Sequence, residues 1–311
     1  MGGGNGRIRW HRSLHSHCTA RARYERGPTL GDRIAQHRRC DCHSIQSSVT
    51  LSLSACHAGR PCLLAGMKVV VGDLHPATAE APLPGGVVYI PTDVTRPEDL
   101  ERLADACGGE PPAVWCNNAG IAVEVGRDIV VRTQSKKWRA VVDINFKAVL
   151  EGSQIAIHRN LEAREAAERF SAAEPPPCFI VNTASASGLT PRQASVYSAS
   201  KAGVIHFGRG VAEGLRLDKV GGVFIYSLCP TFTETPMMTA SMPETLIAKS
   251  RARGILAGPE VISDGMLHLI DHSDEIENGA VMRFDTKDGE SVAALVALPE
   301  SVELPVMTSK M

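Results

Sequence analysis

The sequence predicts an α/β fold in which helices cover both faces of one parallel sheet. Six short apolar runs, rich in β-branched residues, have the length and composition of strands that are buried on both faces. Helical segments separate most of these runs, and this alternation is typical of a parallel sheet. Because the chain has 311 residues, it is long enough for a single domain of this kind.

The predicted strands begin near residue 68 and end near residue 284. They are Lys68–Val71, Gly86–Ile90, Ala113–Cys116, Phe179–Val181, Val223–Tyr226 and Ala280–Phe284. A helix is predicted after the second strand, because Thr95 and Glu98 have the spacing of a capping box. Before the fourth strand, the prolines of Pro175–Pro177 are expected to end the preceding helix.

The first 64 residues differ in composition from the rest of the chain. They contain no lysine, many arginines and histidines, and only three acidic residues, Glu25, Asp32 and Asp41. We predict that residues 1–64 are an atypical, poorly ordered segment and that residues 65–311 form the domain. A mitochondrial transit peptide is an alternative explanation of this composition, and wrongly translated sequence in a gene model would also account for a poorly packed extension. Within the segment, Val49–Leu53 could form a strand.

Composition and spacing argue against several classes of function. The formal net charge of -1 argues against a nucleic-acid partner. No apolar run approaches the ~18–20 residues that cross a bilayer, and no secretory signal is evident, so we expect a cytoplasmic protein without a membrane partner. Cys40, Cys42 and His43 match no CxxC spacing, so we expect no metal. The nine cysteines are expected to be reduced thiols rather than a disulfide framework.

The strongest chemical signal is the pair Tyr197 and Lys201, which are four residues apart and therefore share one helix face. A tyrosine with its usual pKa of about 10 is a poor base near neutrality, and an ammonium group one turn away is expected to lower that pKa. Such a pair suits proton transfer during the interconversion of an alcohol and a carbonyl group. Taken alone, the same spacing is also common among surface pairs.

Further polar residues follow the predicted strands. Ser185 lies just past the end of a strand, where ligand-binding groups collect in open α/β sheets, and its hydroxyl can bond a substrate oxygen or simply stabilise a turn. The segment Asn117–Gly120 also follows a strand directly, and its Asn side chains can bind a ligand or tie neighbouring strands together. Asn145 lies inside a helical stretch, where an Asn is usually a solvated residue.

In their order and approximate spacing, these residues resemble the motifs of the short-chain dehydrogenase/reductase family. The resemblance extends from about Gly66 to about Met282. It implies a Rossmann-like, doubly wound sheet and an enzyme that transfers a hydride between a nicotinamide and a substrate carbon. We expect this enzyme to form a homo-oligomer.

The resemblance also implies a role for each candidate catalytic residue. Tyr197 would be the general acid and base. Lys201 would bond the nicotinamide ribose and tune Tyr197. Ser185 would orient the substrate oxygen, and Asn145 would hold a water of the proton relay.

The predicted type of cofactor depends on Asp73, at the end of the first clear strand. A carboxylate there can accept hydrogen bonds from the adenine ribose and would repel a 2′-phosphate, which favours NAD over NADP, although a turn Asp is the alternative. The cofactor-binding residues that the resemblance implies are Asp73, Leu74, Asp93, Val94, Asn117, Ala119, Gly120, Tyr197, Lys201, Pro230, Phe232 and Thr235. The last three belong to a loop that would cover the nicotinamide, in which Thr231 stands where the family usually has Gly.

One family motif is missing from its usual place. A glycine-rich turn, GxxxGxG, is expected some tens of residues before Asp73, where it would let the backbone approach the pyrophosphate. Only Gly59 lies near that position, while Gly2–Gly6 resembles a displaced start of the motif. A non-catalytic, family-like protein with impaired dinucleotide binding is therefore an alternative to an active enzyme, and an NADP-dependent reductase is a second alternative.

The end of the chain resembles the hydroxyprostaglandin dehydrogenase branch of the family. The residues that carry this resemblance are Asp264–Leu267 and Asn278–Met282. That branch oxidises a secondary alcohol on a lipid-like substrate. Because Met237 and Met238 follow the predicted nicotinamide loop, we expect a secondary alcohol or ketone with an apolar body, although the two methionines could equally be ordinary core residues.

Overall fold

The computed structural model contains one sheet of ten strands. It describes residues 9–12, 20–21, 48–51, 68–76, 83, 85–123, 130, 136–190, 194–235, 237–238, 242–287 and 289–297. The strands are β1 (Arg9–Arg12), β2 (Ala20–Arg21), β3 (Ser48–Leu51), β4 (Lys68–Asp73), β5 (Val87–Pro91), β6 (Val114–Asn117), β7 (Cys178–Thr183), β8 (Val223–Pro230), β9 (Val281–Lys287) and β10 (Glu290–Leu295).

The order of the strands across the sheet is β2-β1-β10-β9-β8-β7-β6-β3-β4-β5. From β5 to β9 every neighbouring pair is parallel. The chain builds outward from β3 through β4 to β5 and then returns to the other side of β3 with β6. The strand order therefore reverses between β3 and β6, and ligands of doubly wound sheets bind at such a reversal. The predicted fold class is confirmed.

Helices pack on both faces of the sheet. They are α1 (Pro97–Asp105), α2 (Trp138–Val142), α3 (Ala148–Phe170), α4 (Ala186–Leu189), α5 (Ser195–Leu217), α6 (Glu244–Ala252) and α7 (Pro259–Asp271), with a π-helical turn at Asp143–Lys147 between α2 and α3. Among the described residues, no helix combines the length and the apolar composition needed to cross a membrane.

Each face of the sheet has its own hydrophobic core. On one face, Trp115, Ile180 and Ile225 pack against α1, α3 and α5. On the other face, Tyr226 and Phe284 belong to a cluster that includes residues of α7. A fully buried side chain of this size contributes roughly 1.5–3 kcal/mol to stability. Because both faces are covered, the strands have nearly continuous apolar sequences, and this is why they could be predicted.

The start of α1 differs from the prediction. Arg96 is the residue before the helix and makes no capping bond through its side chain, and Pro97 occupies the first turn. The Thr95 hydroxyl instead donates to Asp93 Oδ1 at 2.7 Å, and the Thr95 backbone N–H donates to the same oxygen at 3.0 Å. The predicted capping box is therefore wrong, because the carboxylate of Asp93 has already engaged the threonine hydroxyl.

Three described strands precede the predicted boundary at residue 64. β3 lies in the centre of the sheet between β4 and β6, while β1 and β2 extend the opposite edge beyond β10. The segment between β3 and β4, Gly2–Gly6 and the group Cys40, Cys42 and His43 lie outside the described residues. The predicted division of the chain at residue 64, and the poor order of its first part, remain predictions.

Candidate active site

Close packing of two helices brings Ser185 to the segment that carries Tyr197 and Lys201. Ser185 precedes α4, and its Oγ accepts a hydrogen bond from the Ser187 N–H at 3.2 Å. A Cβ atom on Gly188 would lie only 2.7 Å from the backbone carbon of Lys201. The absence of a side chain at residue 188 therefore allows α4 to approach α5 closely.

The hydroxyl of Tyr197 is hydrogen-bonded to the side chain of Ser185. Burial raises the pKa of Tyr197, the bond from Ser185 opposes this, and the nearby Cys229 sulfur adds to the increase. The sequence predicted that Lys201 would lower this pKa. In the structure the Lys201 ammonium lies 6.0 Å from the centroid of the Tyr197 ring, and burial is the largest influence on the phenol.

Lys201 is almost completely buried and is held by one backbone carbonyl. Its Nζ donates to the Thr183 oxygen at 2.6 Å, and only 3% of the residue is exposed. Burial lowers the pKa of Lys201 to about 8, because an ammonium group is poorly solvated in this position. The side chain can therefore change its protonation state close to neutral pH.

Asn145 lies in the π-helical turn and is fully buried, so it is not the solvated helix residue that its sequence context also allowed. Its Oδ1 accepts the backbone N–H of Ile121 at 2.8 Å, and its Nδ2 donates to the Ile121 carbonyl at 3.0 Å. Nδ2 also lies 3.4 Å from Ser200 Oγ. Asn145 therefore fixes the segment that follows β6 against the catalytic helix.

The side chain of Asn117 ties structural elements together. It accepts a hydrogen bond from Trp115 Nε1 at 2.9 Å and donates to Ser153 Oγ at 3.0 Å and Asn182 Oδ1 at 2.8 Å. A Cβ atom on Gly152 would lie 2.5 Å from the Asn117 side-chain oxygen, so this network requires glycine on α3. The Asn side chains of this segment were expected either to bind a ligand or to tie strands together. The Asn117 side chain ties strands and a helix together.

A narrow cleft opens beside the reversal of strand order. It is lined by Gly72 at the end of β4, by Val94, and by Asn117, Asn118 and Ala119 after β6, among other residues. Three of the predicted cofactor-binding residues therefore share one concave surface. Parallel strands meet here with their carboxyl ends, where the groups that bind a ligand are expected.

Gly120 borders a small space between the cleft and the catalytic residues. A Cβ atom on Gly120 would lie 3.4 Å from Asn145 Oδ1, 3.6 Å from Lys201 Nζ and 3.7 Å from Met237 Cε. These are ordinary contact distances, so the space could hold an added methyl group without a clash inside the protein. Asn145, Lys201 and Met237 therefore face the space that a side chain at residue 120 would occupy.

Asp73 ends β4, and Asp93 lies two residues beyond the end of the neighbouring strand β5. One carboxylate oxygen of Asp73 accepts the His75 N–H at 3.2 Å, and its other oxygen has no hydrogen bond among the described residues. Leu74, the next residue, is largely exposed. Asp93 accepts two hydrogen bonds from Thr95, so its carboxylate shapes a turn.

The segment from Pro230 to Thr235 is anchored to the chain between α6 and α7. The Phe232 carbonyl accepts the Ala257 N–H, and the Glu234 N–H donates to the Ala257 carbonyl, each at 2.9 Å. Thr235 Oγ1 accepts the N–H of Met238 at 3.4 Å. Phe232 and Met237 are 46% and 38% exposed, so two large apolar side chains stand at this side of the site.

Sequence reasoning missed three residues at this site. The Thr183 carbonyl holds Lys201, Ser200 contacts Asn145, and Cys229 lies fully buried beside the Ser185 backbone. Burial raises the pKa of Cys229 to about 12, so its thiol is protonated and unreactive at neutral pH. Ser200 lies inside the recognised Tyr-to-Lys segment, but nothing in the sequence indicates which serine faces Asn145.

The fold is a doubly wound α/β sheet with polar side chains grouped beside the reversal of strand order, and comparison with known proteins defines its family. A family model described as short chain dehydrogenase matches residues 60–245. The chain belongs to the short-chain dehydrogenase family, as the sequence motifs predicted.

Individual relatives agree with this assignment. The chain is 29% identical to the 15-hydroxyprostaglandin dehydrogenase [NAD(+)] of Rattus norvegicus, over 73% of this chain and 85% of that protein. It is 33% identical to the 1-deoxy-11-beta-hydroxypentalenate dehydrogenase of Streptomyces exfoliatus, over 62% of this chain and 66% of that protein. The structure of a 3-ketoacyl-(acyl-carrier-protein) reductase from Brucella melitensis, complexed with NADH, superposes with a TM-score of 0.61 at 20% identity, over 76% of this chain and 96% of that chain.

Proposed function

We propose that this protein oxidises a secondary alcohol with an apolar body to a ketone, with NAD as the hydride acceptor. The observation that carries the proposal is the grouping of Ser185, Tyr197, Lys201 and Asn145 at the carboxyl edge of the sheet, beside the reversal of strand order. The names of the 15-hydroxyprostaglandin dehydrogenase [NAD(+)] relatives support both the cofactor and the reaction.

The residues present fit a nicotinamide dinucleotide. The cleft beside Gly72 and Val94 is positioned to take the adenosine part, and Asp73 would accept hydrogen bonds from its ribose and repel a 2′-phosphate. The space at Gly120 would take part of the nicotinamide half, within reach of the Lys201 ammonium. When bound, NAD supplies the acceptor for the hydride.

The side chains of this protein supply the proton chemistry. The Ser185 hydroxyl accepts the Ser187 N–H and keeps its own hydrogen to donate to the substrate oxygen or to Tyr197. Tyr197, as phenolate, takes the proton of the substrate hydroxyl. The charge of Lys201 favours that phenolate once a ligand covers the site and excludes water. Phe232 and Met237 offer an apolar surface to the body of the substrate.

The function is tested with the purified full chain, a panel of aliphatic, steroid and oxylipin secondary alcohols, and NAD or NADP. We expect NADH formation with apolar alcohols and tighter binding of NAD than of NADP. Binding of NADP without binding of NAD would contradict the role of Asp73 and favour a reductase. Folded protein that binds neither cofactor would favour the non-catalytic alternative, and activity confined to charged sugars would contradict the substrate class.

A glycine pair tests the position of the cofactor directly. Gly120→Ala should raise the Kd for NAD at least about tenfold, because the methyl group takes space that the ligand needs while meeting no protein atom closer than 3.4 Å. Gly210→Ala is the matched control, because Gly210 lies on α5 with no atom within 4 Å of an added Cβ. Calorimetric titration measures both. Unchanged NAD binding by Gly120→Ala would place the ligand elsewhere. The cytoplasmic location and the homo-oligomer remain predictions.

A further inference from the structure

Ser200 connects two elements that the proposed mechanism uses. It lies on α5 between Tyr197 and Lys201 and is only 5% exposed. Its hydroxyl donates to the Tyr197 carbonyl at 2.7 Å and lies 3.4 Å from Asn145 Nδ2, from which it can accept. One hydroxyl therefore bridges the catalytic helix and the π-helical turn.

The bridge continues through Asn145 to the segment after β6. The amide of Asn145 binds both the N–H and the carbonyl of Ile121. Its Nδ2 carries two hydrogens, so one can serve Ile121 while the other serves Ser200. Hydrogen bonds thus link Ser200 through Asn145 to the backbone of Ile121. Ile121 is next to Gly120, which borders the proposed cofactor space.

Close packing alone does not explain the contact between Ser200 Oγ and Asn145 Nδ2. A Cβ atom on Gly203 would lie 3.0 Å from the Phe146 ring, so α5 and the π-helical turn are already pressed together one turn further along α5. Packing brings the elements together, but the rotation of a buried amide is determined by its hydrogen bonds. The Asn145 amide would lose an acceptor without Ser200, and a buried N–H without an acceptor favours rearrangement.

Ser198 offers a contrast within the same helix turn. It is 7% exposed, almost as buried as Ser200, yet among the described residues its hydroxyl has no hydrogen-bond partner. Burial of a serine is therefore not what distinguishes Ser200. The difference lies in the two groups that its hydroxyl touches, and both belong to candidate catalytic residues.

We infer that Ser200 is a positioning residue, which holds Asn145 and the Tyr197 turn of α5 in the arrangement needed for proton transfer. This role requires no contact between Ser200 and the substrate or the cofactor. This inference rests on the proposed function, because it assigns Ser200 a task in that reaction. It adds a residue that acts through Asn145 rather than on the reacting atoms.

The first test compares Ser200→Ala with Ser198→Ala. We expect Ser200→Ala to lower kcat about tenfold, with KM for NAD and for the alcohol changed less than about twofold. The backbone amide of Ile121 should exchange its hydrogen faster, because Asn145 holds it less firmly. Ser198→Ala should leave both measurements within about twofold of the unmodified protein. Equal behaviour of the two variants in kcat and in exchange would overturn the inference.

Two further variants separate positioning from general damage to the fold. Ser200→Thr keeps the hydroxyl, and an open groove lined also by Val142 and Ala199 lies beside Ser200, so kcat should recover to within about threefold. In an Asn145→Ala background, Ser200→Ala should change kcat by less than about twofold, because Ser200 then has no Asn145 amide to hold. An undiminished effect in that background would overturn the inference.

The design also distinguishes failure of the inference from failure of the proposed function. If the unmodified protein turns over no alcohol, the proposed function fails. In that case the exchange rate of the Ile121 amide in the two serine variants still decides whether Ser200 positions Asn145. If the protein is active and Ser200→Ala matches Ser198→Ala, only the inference about Ser200 fails.

Discussion

Two tyrosines on opposite sides of the sheet differ in the fate of their hydroxyl groups. Tyr197, on α5, is hydrogen-bonded to Ser185 at the candidate active site. Tyr226, on β8, is fully buried in the cluster that α7 covers, and its hydroxyl has no hydrogen-bond partner in the part of the chain that the structure describes. Burial raises the pKa of both phenols. The Tyr197 hydroxyl is therefore oriented by a hydrogen bond, whereas the Tyr226 hydroxyl only loses its contact with water.

This difference shows that a buried polar group costs stability unless its surroundings bond it. At the candidate active site, the cost is offset by hydrogen bonds. Beneath α7, the Tyr226 ring stacks with Phe224 at a centroid distance of 6.5 Å, so packing of the ring explains the residue better than its hydroxyl does. The same substitution at the two positions should therefore have opposite consequences.

The largest expected effect is on catalysis by Tyr197→Phe. Turnover should fall about 10³-fold, because the general acid and base is removed while the ring still packs. The free energy of unfolding should change by no more than about 1 kcal/mol. NADH formation and urea unfolding measure the two quantities. Near-normal turnover, or an equal loss of activity in Tyr226→Phe, would show that another group moves the proton.

A second substitution, Lys201→Met, should abolish activity and stabilise the unliganded protein by about 1–2 kcal/mol at neutral pH, because it removes a buried charge. Burial lowers the pKa of Lys201 from 10.5 to about 8. Between these two values the unfolded chain binds more protons than the folded chain, so the unmodified protein gains stability as pH rises through this window. Below this pH window, folding of the unmodified protein carries the full free-energy cost of burying the charged Lys201 side chain.

The advantage of Lys201→Met over the unmodified protein should therefore be largest below pH 8 and should shrink towards pH 10.5. Urea unfolding of both proteins at several pH values measures it. A pH-independent difference would mean that loss of the bond to Thr183, rather than removal of the charge, dominates the effect of the substitution.

The smallest expected effect is the stabilisation by Tyr226→Phe. Removing a buried hydroxyl that has no partner should raise the free energy of unfolding by about 1 kcal/mol and leave turnover unchanged. Urea unfolding gives the first quantity, and the alcohol assay gives the second. A destabilised variant would indicate that this hydroxyl has a partner in solution, and the contrast between the two tyrosines would then disappear.

Much of the fold could be predicted from local patterns in the sequence. The six predicted strands all occur, with ends shifted by a few residues, because strands buried on both faces must be continuously apolar. β10, Glu290–Leu295, was not predicted. It pairs antiparallel with β9 and lies between β9 and β1, outside the alternation of strands and helices from which the parallel strands were predicted.

The candidate site was predictable in its members but not in its contacts. The spacing of Tyr197 and Lys201 is local, so one helix places both on the same face. Contacts between distant elements are different: Asn145 and Ser200 are 55 residues apart, and Lys201 and Thr183 are 18 apart. No local periodicity reports on them, because they depend on how the helices pack on the sheet.

The sequence by itself determined the class of fold, the family and the candidate residues for proton transfer, because these depend on local spacing and on residue chemistry. Only the tertiary structure determined the burial, the pKa values and the hydrogen-bond partners of these residues. It buries Lys201 and lowers its pKa, it makes burial rather than the ammonium the main influence on Tyr197, and it gives Ser200 a partner that Ser198 lacks. Burial and hydrogen bonding arise only when distant segments meet, and they set the free energy of each protonation state.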